Sequence, residues 1–216
     1  MNAGDPVLDE IVRHLVDDHH CHTVILYGSR AKGTATAKSD YDVMGVRSAG
    51  EKVRIARKLD GCWLDVFVFP EKDLRRLGED HVHLRGAELL FTEGSYGDRF
   101  LRRLRKVCAS PVTVLPEDER QALVSWGWKM LERVEEGGVE GAYRRACLLE
   151  SLPEMYFLLR AQRFSGGKEA LSWLQRNDST TYALFGKVFA NPSDMEALKA
   201  LVRGVVGDMP EETPLS

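Results

Sequence analysis

The sequence predicts an α+β protein: a mixed sheet with flanking helices in its first half, followed by an all-α helical bundle. Two observations predict it. Apolar runs of strand length crowd residues 23–92, interrupted by glycine and aspartate turns. The segment 109–116, ASPVTVLP, then brackets a short extended piece between two prolines, and beyond it strand signals give way to long helical periodicity. Domains are therefore expected over 1–108 and 117–210.

The elements follow in order. Val7, Ile11, Leu15 and Val16 form one stripe at helical spacing over 7–18, and TVILY at 23–27 is a short continuous apolar run suited to a buried strand. Gly28 opens a polar, small-residue stretch that reaches Ser39. DYDVMGVR then alternates as a strand does, and KVRIARKL and CWLDVFVF are joined by Asp60-Gly61, a hairpin signal because both residues tolerate positive φ. Residues 70–80 read as helical, Glu88–Thr92 as a last strand, and Tyr96–Val107 as a helix with Arg102, Arg103, Arg105 and Lys106 on its exposed side. The second half reads as helices at 117–136, 141–163 with a kink at Pro153, 168–177, 179–189 and 194–206. Ser193 and Glu196 form a capping-box pattern, and Trp126, Leu131, Leu148, Leu152, Leu159 and Trp173 are the expected bundle core.

Composition narrows the function. The chain has 216 residues, 44% hydrophobic and 29% charged, which is enough for a buried core. Its 30 Lys and Arg stand against 33 Asp and Glu, so the usual electrostatic footprint of a nucleic-acid binder is absent. Residues 1–108 hold 18 basic and 17 acidic groups and 109–216 hold 12 and 16, which places the acidity in the helical half. The four widely spaced cysteines read as reduced thiols, and no leader pattern or long apolar run is seen, so a cytoplasmic protein without membrane contact is expected. His19, His20 and His22 sit too close in sequence to converge on a metal by themselves, and His81 and His83 are expected in a polar loop.

One constellation carries chemistry. Gly28-Ser29-Arg30-Ala31-Lys32-Gly33 follows the first strand, ten residues separate Ser29 from Asp40, Asp40-Tyr41-Asp42 opens the second strand, and Asp65 lies within WLDVFVF. Side chains on a strand repeat every two residues, so Asp40 and Asp42 share a face about 7 Å apart and Tyr41 points away. With Asp65 on a neighbouring strand, these carboxylates would supply the hard oxygen donors that magnesium takes. Gly28 and Ser29 would meet a triphosphate tail, with Arg30 and Lys32 as nearby positive charge. The span from Gly28 to Gly33 misses a P-loop because Thr34 stands where that motif needs lysine.

A strand, Gly-Ser, about ten residues, Asp-x-Asp and a third Asp on a following strand resemble the DNA polymerase β nucleotidyltransferase superfamily. Within it, VILYGSRAKGTATAKSDYDV is similar to the minimal and aminoglycoside-type nucleotidyltransferases, over roughly residues 10–106. The resemblance implies a polymerase β-like core and magnesium-dependent transfer of a nucleoside monophosphate, AMP from ATP being favoured, to an acceptor hydroxyl with release of pyrophosphate. Gly28 and Ser29 would hold the triphosphate, Asp40 and Asp42 both of two Mg2+ ions, and Asp65 the catalytic ion while also serving as general base. The helical half would bind the acceptor, an aminoglycoside-like small molecule. Tyr143, Arg144, Arg145, Glu150, Glu154 and Arg160 are its polar candidates, with Lys168 after Gly166-Gly167 as a phosphate ligand.

Two other classes stand beside this one: an antitoxin-type minimal nucleotidyltransferase that modifies or binds a partner protein, and a catalytically silent binding module. A helical RNase of the HEPN type fused in the second half is excluded by the want of any histidine after His83. A dimer and a protein partner both stay open.

Overall fold

The computed structural model describes residues 4–210. The chain divides into two compact units, Met1–Ser110 and Pro111–Ser216. The first is mixed α and β and the second is all helix, the α+β class expected from the sequence.

In the first unit, α1 (Pro6–Asp17) precedes β1 (Thr23–Tyr27), a single helical turn α2 (Gly28–Ala31), β2 (Tyr41–Arg47), the hairpin β3 (Val53–Leu59) and β4 (Cys62–Pro70), then β5 (Glu88–Thr92) and α3 (Tyr96–Ala109). The five strands form one sheet in the order β3-β4-β2-β1-β5. Among the described residues only β2 and β4 pair in parallel; β1 with β2, β1 with β5 and β3 with β4 are antiparallel. The hairpin turns where expected, with Asp60 and Gly61 both at positive φ.

Alternation along the strands sorts the core into two layers. Val24 and Leu26 of β1, Val43 of β2 and Leu64, Val66 and Val68 of β4 pack with Leu8, Ile11 and Leu15 of α1. Ile25, Met44 and Val46 take the other face and meet Phe100, Leu101 and Leu104 of α3. The N-terminus of α1 is tied to the sheet by Asp5, whose carboxylate accepts from the Val7 and Leu8 amides and from the Tyr41 hydroxyl at 2.9 Å.

Residues 70–80 are not one helix. They hold a 3-10 turn at Glu71–Leu74, and a second spans Glu79–Leu84. Leu74 is the one residue of the first turn that is buried, and Gly78 precedes the second, so the segment lacks the repeated apolar stripe that holds a longer helix to a core. Arg103 of α3 secures the first turn by donating to the carbonyl oxygens of Leu74, at 3.1 Å, and Arg75.

The second unit comprises α4 (Glu117–Glu135), α5 (Gly138–Leu159), α6 (Gly167–Asn177), α7 (Ser179–Ala190) and α8 (Met195–Val206). Leu131, Leu148, Leu152 and Leu159 are buried in its core, with Trp126 and Trp173 partly buried against it. The main differences from expectation fall at both ends of α5, which stops at Leu159 rather than 163, and at the cap of α8. α5 starts at Gly138 rather than 141, both Gly137 and Gly138 taking the positive φ that turns the chain out of α4. The cap of α8 is Asp194, not Ser193: its carboxylate accepts from the Ala197 amide at 2.9 Å. The aspartate carboxylate thus takes the capping role one residue after the serine. Among the described residues, no helix is long and apolar enough to cross a membrane.

Candidate active site

Strand register brings the candidate residues together. Asp42 pairs with Tyr27 on one side and with Asp65 on the other, so these side chains emerge from three adjacent strands on the sheet face that α3 also covers. Tyr41 is buried on the opposite face, as the alternation requires. Tyr27 senses both acids: burial above all, then the charges of Asp42 and Asp65, pushes its phenol well above the ordinary tyrosine value, against the opposing charge of Arg54.

Gly28 closes on this pair from the end of β1. It has φ +70°, and a Cβ at this position would lie 2.1 Å from Asp42 Oδ2. Only a residue without a side chain lets the backbone turn there and still approach the carboxylate. Ser29 is half-buried beside it, and its carbonyl accepts from the Thr34 amide at 3.0 Å, which folds the polar loop back over α2.

Arg30 has a different set of partners from the phosphate expected of it. Its guanidinium donates to the carbonyl oxygens of Ser39 at 2.7 Å and Asp40 at 3.1 Å and lies 3.6 Å above the Tyr41 ring. It thereby clamps the loop that delivers Asp40. Asp40 itself is exposed, one residue before β2 begins. Lys32 is exposed in the same loop, close to Gly86. Lys168 is exposed in the first turn of α6 in the second unit.

Asp65 carries a partner that the sequence reading overlooked. Arg54 on β3 donates Nε to Oδ1 at 2.9 Å and Nη2 to Oδ2 at 3.1 Å, a two-pronged pair in which the guanidinium is 60% exposed and the carboxylate 32%. The signal was available: the two-residue Asp60-Gly61 turn sets Leu59 opposite Cys62, so Ala56 faces Asp65 and Arg54 lies one diagonal away on the same face.

Among the described residues, no group of three or more His, Cys, Asp or Glu is arranged to hold a metal ion. The donors in register are the two carboxylates Asp42 and Asp65, with Asp40 at the loop edge. That set fits magnesium, which is characteristically held by one or two carboxylates with the remaining positions filled by water and substrate phosphates. The histidines disperse: His14 pairs with Asp18 at 2.6 Å and meets His19 edge to face, while His22 lies 3.1 Å from Glu71. His81 and His83 sit in the second 3-10 turn rather than a loop.

In the helical unit three of the polar candidates, the arginines, have structural partners. Arg160 donates to the carbonyl oxygens of Gly204 at 3.1 Å and Val205 at 2.9 Å, closing the end of α8, and lies 3.8 Å above the Tyr156 ring. Arg145 reaches the Pro192 carbonyl, and Arg144 pairs with Glu140 one turn away at 2.9 Å.

No family model matches the sequence, and no curated protein matches it. Among solved structures, the chain is similar to the crystal structure of a nucleotidyltransferase-like protein from Exiguobacterium sibiricum 255-15, with a TM-score of 0.41 and 14% identity, over 93% of this chain and 77% of that one.

Proposed function

We propose that the protein is a nucleotidyltransferase that moves a nucleoside monophosphate, AMP from ATP in the favoured case, onto a hydroxyl of a small-molecule acceptor. The observation that carries the reading is the close approach of Gly28 to Asp42, with Asp65 in register on the next strand. A glycine stands where backbone lies against a carboxylate, and Ser29 follows it, which supports a triphosphate meeting bare backbone beside the acidic residues.

In this reading Gly28 and Ser29 receive the triphosphate, and Asp42 and Asp65, in register on adjacent strands, would hold Mg2+, with Asp40 at the loop edge as a further candidate. When bound, the ions neutralise the phosphate charge that builds up on the attacking and leaving oxygens. Asp65 takes the proton of the acceptor hydroxyl and passes it to solvent. The acceptor oxygen forms its bond to the α-phosphorus, the bond from that phosphorus to the bridging oxygen breaks, and pyrophosphate leaves with the electron pair. Arg30 acts by holding Asp40 in place rather than by touching phosphate. Lys32 supplies positive charge at the mouth of the loop.

A second reading, binding without turnover, has the Arg54 fork on Asp65 in its favour. The exposure of Arg54 argues the other way, because an ion pair open to water is readily exchanged. The two are separated by incubating the protein with Mg2+, ATP labelled at the α- or the γ-phosphate, and a panel of hydroxyl compounds. Transfer predicts that the α-label enters a new product and the γ-label is released in pyrophosphate. ATP binding with no label moved to any acceptor supports the silent module.

A further inference from the structure

On the carboxylate face of the sheet, one alternate position below Asp42 and Asp65, lies a cavity of about 280 Å3. Its walls are continuous with the site. Met44 is the next residue on that face of β2 after Asp42, and Phe67 and Phe69 are the next two on that face of β4 after Asp65. Tyr27, the register partner of Asp42, completes the aromatic wall, and Leu84 of the second 3-10 turn closes the far side. Phe67 and Phe69 stand near-parallel with ring centroids 6.0 Å apart, while His83 meets Tyr27 edge to face at 5.8 Å.

The rim is cationic on the β3 side. Lys52 Nζ lies 5.1 and 4.7 Å from the Phe67 and Phe69 ring centres, and the Arg54 guanidinium 5.0 Å from that of Phe67. Of the lining residues only Asp80 is acidic, and burial foremost keeps the His81 imidazole below its ordinary pKa, favouring the neutral ring. Such a lining, apolar and aromatic over most of its wall with one lysine against one aspartate, offers a polyamino sugar few hydrogen-bonding partners and suits a flat, uncharged ring.

We infer that this cavity takes the acceptor, and that the acceptor is an aromatic-ring alcohol rather than a polyamino sugar. The inference rests on the transferase reading for the fate of the hydroxyl. Two residues of strand separate the aromatic walls from the carboxylates, about 7 Å. A ring seated against Phe67 and Phe69 with an arm of two or three carbons therefore brings its hydroxyl to Asp65. The phosphates, by contrast, enter from Gly28 at the end of β1, on the other side of Asp42. This geometry leaves the acceptor oxygen and the leaving pyrophosphate on opposite sides of the α-phosphorus.

The probe is 3-phenylpropan-1-ol, titrated into full-length protein labelled at the methionine ε-methyl groups, with the Met44 resonance assigned by Met44→Leu. A fragment of this size should bind with a Kd on the order of 1 mM and shift the Met44 methyl. Phe69→Ala should weaken binding about tenfold and Phe69→Leu less, with thermal melting of each variant reporting that the fold persists. Asp42→Asn should leave probe binding unchanged while abolishing transfer, so failure of the cavity and failure of the transferase reading give different results. The inference is overturned if the Met44 methyl does not move at 10 mM probe, on the order of ten times the expected Kd, if kanamycin moves it more, or if adenosine displaces the probe, which would make the cavity the donor's base site.

Discussion

The backbone of Gly28 lies so close to Asp42 that a single methyl group on its α-carbon would stand 2.1 Å from the carboxylate oxygen Oδ2. This contact joins the end of β1 to the start of β2, where Gly28-Ser29 and the acidic residues meet. Gly28→Ala should fold with a loss of about 1–2 kcal/mol, since it places a Cβ at positive φ. It should also weaken magnesium-dependent ATP binding at least tenfold by displacing Asp42. Calorimetry and thermal unfolding of the variant check both; unchanged ATP affinity would remove Gly28 from the site.

Arg54→Met removes the fork from Asp65 while keeping a long apolar stem over Phe67. The freed carboxylate should bind a divalent ion more tightly, by several-fold, with little change in melting temperature. Titration of Mn2+ followed by electron paramagnetic resonance reads this directly. Weaker Mn2+ binding in the variant would mean that Arg54 organises Asp65 rather than competes for it.

Arg30→Ala distinguishes clamping from phosphate binding. Its guanidinium spans from α2 to the carbonyl oxygens of Ser39 and Asp40, so its loss should speed amide hydrogen exchange across residues 34–40 and lower transfer mainly through kcat. A phosphate ligand would instead raise the KM for ATP and leave the exchange rates of the loop unchanged.

Asp178 gives the helical unit a defined acid sensitivity. Burial opposes its charge, but hydrogen bonds from the Thr181 amide at 3.0 Å, the Thr181 hydroxyl at 2.7 Å and the Tyr156 hydroxyl at 2.8 Å, with the charge of Arg160, hold its carboxyl below the ordinary aspartate value. A depressed folded-state pKa stabilises the protein above the unfolded value, and the effect is lost as pH falls through the folded one. Asp178→Asn should cost about 1–3 kcal/mol at neutral pH. Melting curves between pH 7 and roughly pH 2 should show the gap between wild type and variant closing only in the acid range set by that depressed carboxyl.

Much of this was legible in the sequence because it rests on local rules. The Asp60-Gly61 turn, the apolar run of β1 and the alternation of Asp42, Met44 and Val46 each follow from chain geometry, and they placed the sheet and its acidic edge. What escaped depends on pairing between distant segments. Arg54 meets Asp65 only through hairpin register, Arg30 finds backbone carbonyl oxygens nine and ten residues on, and the cavity needs Leu84 to fold back over β4. The 70–80 segment misled because its charged residues suit a helix while its apolar residues are too few to hold one against the core.

The central claim is that the Gly28–Ser29 turn and the Asp40, Asp42 and Asp65 carboxylates form one nucleotide site. Isothermal calorimetry of ATP, GTP, CTP and UTP, with and without magnesium, on wild type and on the Asp40→Asn, Asp42→Asn double variant tests it most directly. The account predicts magnesium-dependent binding, strongest for ATP, that disappears in the double variant while its melting temperature holds. Equal binding by wild type and variant, or no nucleotide binding by a folded wild type, would contradict it.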